Sequence, residues 1–155
     1  MKIGIIIYSQ TGHTYSVANK LKEKLLESGN SVKVEKLDPK GKMHPGVKNI
    51  EFEYFPDIKD YNLVIFGGPV WAFSLCPVLK TYLEKLSTYE NKNVICFITM
   101  GFPFAWMGGN SAITKMIKIC SSKGMKLLTT SVINWNKKHD EKINNFINTT
   151  LQVLK

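Results

Sequence analysis

Apolar residues arrive along this chain in two rhythms. In Lys2–Tyr8, Ser31–Leu37, Leu63–Phe66, Val94–Thr99 and Lys126–Asn134 they form short runs rich in isoleucine, valine and aromatic side chains, which predicts strands. In His13–Ser28, Leu75–Leu86, Ser111–Lys123 and Asp140–Leu154 they recur at helical spacing, as in Val17, Ala18, Leu21 and Leu25, which predicts helices. Gly29-Asn30, Asn91-Lys92-Asn93 and Lys123-Gly124 stand where those helices should stop. Alternation of strands and helices predicts a parallel sheet covered on both faces. Right-handed crossovers restrict it to a doubly wound topology.

One connection breaks the alternation. Between Asp38 and Asn62, Pro39, Gly41, Pro45, Gly46 and Pro56 disfavour a long helix, and Phe52, Tyr54 and Phe55 are expected to pin the stretch to the sheet. With 155 residues, 44% of them hydrophobic, and no linker or repeat, a single domain over residues 1–155 is expected. No apolar leader or membrane-length run is present, so the expectation is a cytoplasmic protein without membrane insertion. Cys76, Cys96 and Cys120 form no C-x-x-C pair, which argues against a disulfide framework or a zinc site. Cys96 falls in an apolar strand and reads as core.

Charge narrows the function classes. The formal net charge is +9, and all 21 basic residues are lysine. Without arginine the chain lacks the side chain most used for bidentate base readout, so no specific nucleic-acid role is expected. From Asn91 to His139 there is no Asp or Glu, whereas Lys92, Lys115, Lys118, Lys123, Lys126, Lys137 and Lys138 lie there, read mainly as solvated faces and loop ends.

Candidate chemistry concentrates in the loops after the first, third and fourth strands, which a doubly wound sheet places on one edge. The first loop, Ser9-Gln10-Thr11-Gly12-His13-Thr14, supplies hydroxyls, a glycine and the start of a helix, a combination that suits an anion. It holds no lysine, so dipoles and hydroxyls would do the binding. Ser9 or Thr11 acting as a plain helix cap is the simpler alternative. The later loops, Gly67–Ser74 and Thr99–Asn110, place aromatic residues beside glycines, as a slot for a flat ligand between Trp71 and Trp106 would require. A phosphate site beside an aromatic slot implies a phosphorylated flat heterocycle.

Ser9-x-Thr11-Gly12-x-Thr14, the Gly-Pro-x-Trp of Gly68–Trp71 and the Gly/Trp-rich fourth-strand loop, taken in order over essentially the whole chain, resemble the flavodoxin family. The resemblance implies an α/β fold, a flavodoxin-like three-layer α/β/α sandwich with a five-stranded parallel sheet in order 2-1-3-4-5, binding FMN non-covalently. By match, Ser9, Gln10, Thr11, Gly12, His13 and Thr14 would take the phosphate, and Trp71 and Trp106 would flank the isoalloxazine. Pro69, Val70, Ala72 and Phe73, with Thr99, Met100, Gly101, Phe104, Gly108 and Gly109, would contact the ring edges. His13 is read as a solvent-facing variable position of that loop, without a catalytic role.

The family is usually acidic around its flavin, whereas this chain has no Asp or Glu from Tyr61 to Leu83 or in the fourth-strand loop. A less negative potential for the second reduction is therefore expected. So are redox partners with acidic docking surfaces. Ala72 stands where many relatives have glycine; alanine resists positive φ, which predicts weaker accumulation of the one-electron-reduced flavin. The implied role is an electron carrier. The alternative is an FMN-dependent oxidoreductase acting on NAD(P)H, a quinone or a porphyrinogen, with Phe102–Trp106 receiving a flat substrate. Dinucleotide (G-x-G-x-x-G) and nucleoside triphosphate (G-K-[ST]) signatures are absent.

Overall fold

The computed structural model describes residues Met1–Lys155. In chain order the elements are β1 (Lys2–Ile7), α1 (His13–Glu27), β2 (Ser31–Lys36), β3 (Asp38–Pro39), β4 (Phe52–Tyr54), β5 (Leu63–Trp71), β6 (Ser74–Leu75), α2 (Pro77–Lys85), β7 (Asn93–Met100), α3 (Gly109–Ser122), β8 (Lys126–Asn134) and α4 (His139–Val153). The main sheet runs β2-β1-β5-β7-β8 with every neighbouring pair parallel. Counting only these five strands, the order is 2-1-3-4-5.

Alternation along the central strands decides which helices each face receives. Ile3, Ile5 and Ile7 of β1, with Leu63 and Ile65 of β5, pack with Val17, Leu21 and Leu25 of α1 and with Ile143 and Phe146 of α4. Ile6, Val64, Phe66 and Cys96 point the other way, onto Leu79 and Tyr82 of α2 and Ala112 and Met116 of α3. Full burial on both faces explains why β1 and β5 read as near-continuous apolar runs. Gly67 makes this packing possible, because a Cβ there would lie 2.2 Å from the Phe97 ring.

Three short strands escaped the periodicity. β3 and β4 form an antiparallel ladder, Asp38↔Tyr54 and Pro39↔Phe52, inside the irregular connection. Two or three residues are too few to show an alternation. That connection is anchored chiefly by buried Ile50 and Ile58, and Phe52 and Phe55 lean on Tyr82 of α2, while Tyr54 and Phe55 stay exposed. The third departure lies at the sheet edge: β5 continues past the expected Phe66 to Trp71 and folds back on β6. No helix is long and apolar enough to cross a membrane.

Candidate functional site

β1, β5 and β7 end together, and their loops enclose a cavity of about 260 Å³. Gln10, Thr11, His13 and Thr14 line it from the first loop, Pro69, Val70 and Trp71 from β5, and Thr99, Met100 and Gly101 from the end of β7. The three loops expected to share an edge do converge.

The first loop is built to present donors. Gly12 takes φ +94 and precedes α1 without any side-chain cap. The left-handed turn exposes the next amides: Tyr15 N–H donates to Ser9 Oγ at 3.3 Å, and Ser16 N–H is the first to reach a backbone carbonyl, that of Gly12. The amides of His13 and Thr14 have no acceptor within the chain. Ser9 thus satisfies one orphan amide of the helix start and leaves two for an anion. Thr14 is buried, and its hydroxyl lies 2.8 Å from that of Thr99, which ties the start of α1 to the end of β7.

Trp71 forms the opposite wall and is braced edge-on by buried Tyr8, with centroids 5.6 Å apart and planes at 87°. Burial, and secondarily the Cys76 sulfur, raise the Tyr8 phenol above its ordinary value. Burial likewise pushes the Cys76 thiol up to about 11, against the lowering effect of the Val78 and Leu79 amides. Cys76 is therefore an inert thiol packed behind the site.

Ala72 and Phe73 turn the β5–β6 hairpin with φ of +48 and +60. The expectation that alanine would resist positive φ is corrected here. A two-residue hairpin turn of the type I′ class holds both central residues at positive φ, and the paired strands on either side impose it here. Behind the hairpin, Trp71 and Ala72 also wall a second cavity of about 360 Å³, which Lys80 and Lys115 line as well and where Lys115 donates to Ser74.

Of the remaining matched residues, Gly108 and Gly109 act by close approach. Gly108 has φ +114, and a Cβ on it would lie 2.7 Å from Phe73 Cα; one on Gly109 would meet Val132 and the Met100 sulfur. Phe104 and Trp106 stack on one another with planes 7° apart, away from the cavity wall, and Trp106 is 73% exposed. Phe73 stacks on Phe102, with centroids 5.0 Å apart. Asn134 Nδ2 holds the Phe102 carbonyl at 2.9 Å. The result is an exposed aromatic platform beside the cavity. The structure thus flanks the cavity with Trp71 and turns Trp106 to solvent.

Sequence reasoning missed Trp135, the residue after β8. Its ring lies against His13, with centroids 4.1 Å apart and planes at 8°, and its other neighbour is His139 at 4.4 Å and 16°. His13 is therefore half-buried against an indole, not solvent-facing as expected. Only its place at the end of a strand, where loops gather, could have flagged Trp135.

A family model described as flavodoxin-like fold matches residues 1–154. Among solved structures, the flavodoxin of Streptococcus pneumoniae TIGR4 shares 14% identity at a TM-score of 0.69, covering 98% of this chain and 99% of that one. Oxidised flavodoxin 1 of Bacillus cereus shares 14% at 0.68, with 98% of each chain covered. A WrbA-like flavodoxin of Agrobacterium tumefaciens shares 10% at 0.66, covering 99% and 97%. No curated protein matches the chain.

Proposed function

The chain belongs to the family of flavodoxin-like fold, and from that premise we propose that it binds FMN non-covalently and shuttles electrons between redox proteins. One observation carries this reading: a single cavity joins unpaired helix-start amides at one side to the braced ring of Trp71 at the other. FMN supplies the electron-accepting chemistry when bound; the protein's task is to hold and tune it.

On this reading the His13 and Thr14 amides and the Thr11 hydroxyl hold the phosphate, helped by the positive end of α1. Ser9 and Gly12 set the loop's shape. Trp71 covers one face of the isoalloxazine, with Tyr8 fixing its angle, and the strand-end backbone of Thr99–Gly101 meets the ring edge. No carboxylate, lysine or thiol lines the cavity, and His13 is its one imidazole. The basic surface favours partners with acidic docking faces.

A second reading, an FMN-dependent oxidoreductase acting on NAD(P)H, a quinone or a porphyrinogen, draws on the apolar platform and on the lysine-flanked cavity behind Trp71. The absorption spectrum of the purified protein tests the cofactor: flavin bands at one FMN per chain are expected, and a colourless protein that cannot be loaded with FMN overturns it. Aerobic NADH and NADPH oxidation separates the roles. A carrier gives slow reduction without a reductase, whereas rapid turnover with either nucleotide establishes the oxidoreductase.

A further inference from the structure

The phosphate loop contains no lysine or arginine, yet an FMN phosphate carries close to two negative charges above pH 7. Three lysines, on α1, β2 and α4, are engaged elsewhere. Lys20 Nζ lies 3.0 Å from Asp140 Oδ1, Lys36 Nζ sits 3.6 Å over the Tyr15 ring, and Lys142 donates to Asn134 at 2.9 Å. Among the residues lining the cavity, His13 is the one with a basic side chain.

Its surroundings are arranged for a conditional charge. Against an imidazolium stand the positive end of α1 and the unpaired amides beside it. In favour stands the face of Trp135, a partner for a cation at 4.1 Å between centroids. The other charged groups around this stack belong to the turn after β8 and the start of α4. Lys137 and Lys138 lie in that turn. His139 places Nδ1 2.6 Å from the Asn136 carbonyl and Nε2 3.5 Å from Asp140. Asp140 is shared with Lys20, so its charge is answered on the far side of Trp135. His139 has its own acceptors, whereas no protein acceptor is bonded to the His13 ring.

We propose that His13 reads the charge of the flavin's phosphate, taking up a proton from solvent as the dianion binds and thereby selecting FMN over the unphosphorylated flavin. The inference rests on the FMN reading above. The proton adds to a ring nitrogen and no bond within the flavin changes. By linkage, binding that takes up a proton weakens as pH rises, with a limit of about tenfold per pH unit for one full proton. Riboflavin, which has the same ring and no phosphate, takes up none.

Calorimetric titration of the apoprotein with FMN and with riboflavin, in buffers of different ionisation enthalpy between about pH 7 and 8.5, counts these protons. FMN should bind with net proton uptake and severalfold weaker affinity per pH unit, while riboflavin shows neither effect. His13→Gln and His13→Asn should abolish the uptake and lower FMN affinity far more than riboflavin affinity. His139→Gln should retain it. Equal uptake with both flavins, uptake that survives in both His13 variants, or its loss in His139→Gln overturns the proposal. If neither flavin binds the wild-type protein, the FMN reading itself falls and the inference with it. If FMN binds without uptake, the FMN reading stands and the role of His13 is refuted.

Discussion

At the scale of single residues, the buried hydroxyl pair of Thr14 and Thr99 is the most exposed to test. Both side chains are almost fully buried, so each hydroxyl depends on the other. Thr14→Val or Thr99→Val should each cost about 1–3 kcal/mol, because one hydroxyl is left without a partner. The double variant should cost less than the sum of the two, as removing both groups leaves neither stranded. Denaturant unfolding of the four apoproteins measures this. Thr14 was legible as a site residue from its place after Gly12, but its bond to a residue 85 positions away was not, since sequence carries no distance between loops. The left-handed Ala72 and Phe73 were equally hidden: nothing in Trp-Ala-Phe-Ser resembles the Asn-Gly that usually marks such a turn.

At the scale of elements, the alternation of strands and helices was readable because the central strands are apolar on both faces and the helices on one. The β5–β6 hairpin was not, because Pro69 and the two glycines before it suggest a loop where the strand in fact continues. That hairpin and the loop after β7 meet at Gly108. Gly108→Ala should destabilise the protein by about 2–4 kcal/mol, combining a clash with the Phe73 backbone and a φ of +114 that alanine resists. It should also weaken FMN binding by separating the two loops, read by the same titration as the wild type. A second device fixes the sheet edge. Buried Glu35 of β2 accepts hydrogen bonds from the phenols of Tyr54 on β4 and of Tyr61, the latter at 2.6 Å. Burial first, and then donation to Glu35, raise the Tyr61 phenol; for Tyr54 the bond to Glu35 comes first. Phenols that hold their protons longer in the folded state contribute stability that is complete below the ordinary value of 10.0 and lost as pH climbs above it. Unfolding midpoints should therefore fall above about pH 10. Tyr61→Phe should flatten that decline while costing about 1–3 kcal/mol at neutral pH.

At the scale of the whole molecule, the +9 charge and the exposed platform of Phe73, Phe102, Phe104 and Trp106 are the surface features on which the proposed carrier role is tested. Electron transfer to an acidic ferredoxin should slow severalfold from low ionic strength to about 0.5 M salt, a dependence measurable by stopped-flow spectroscopy. The absence of carboxylates around the cavity should likewise place the second reduction of bound FMN at a less negative potential than in acidic members of the family, read by spectroelectrochemical titration. The general site was legible in the sequence because three loops of unusual composition had to share one edge. Which tryptophan would face the cavity was not legible, since that depends on how aromatic rings pair within a loop.

That division among the three tryptophans has an optical consequence. Trp71 borders the place proposed for the flavin, and a flavin in contact with an indole drains its excited state. Trp135 lies between two imidazoles, whose protonated forms do the same. Trp106, 73% exposed and away from the cavity wall, is left as the principal emitter. On the carrier reading, the holoprotein should glow from its exposed aromatic platform, and a partner that covers this platform should announce itself by a blue shift without any added label.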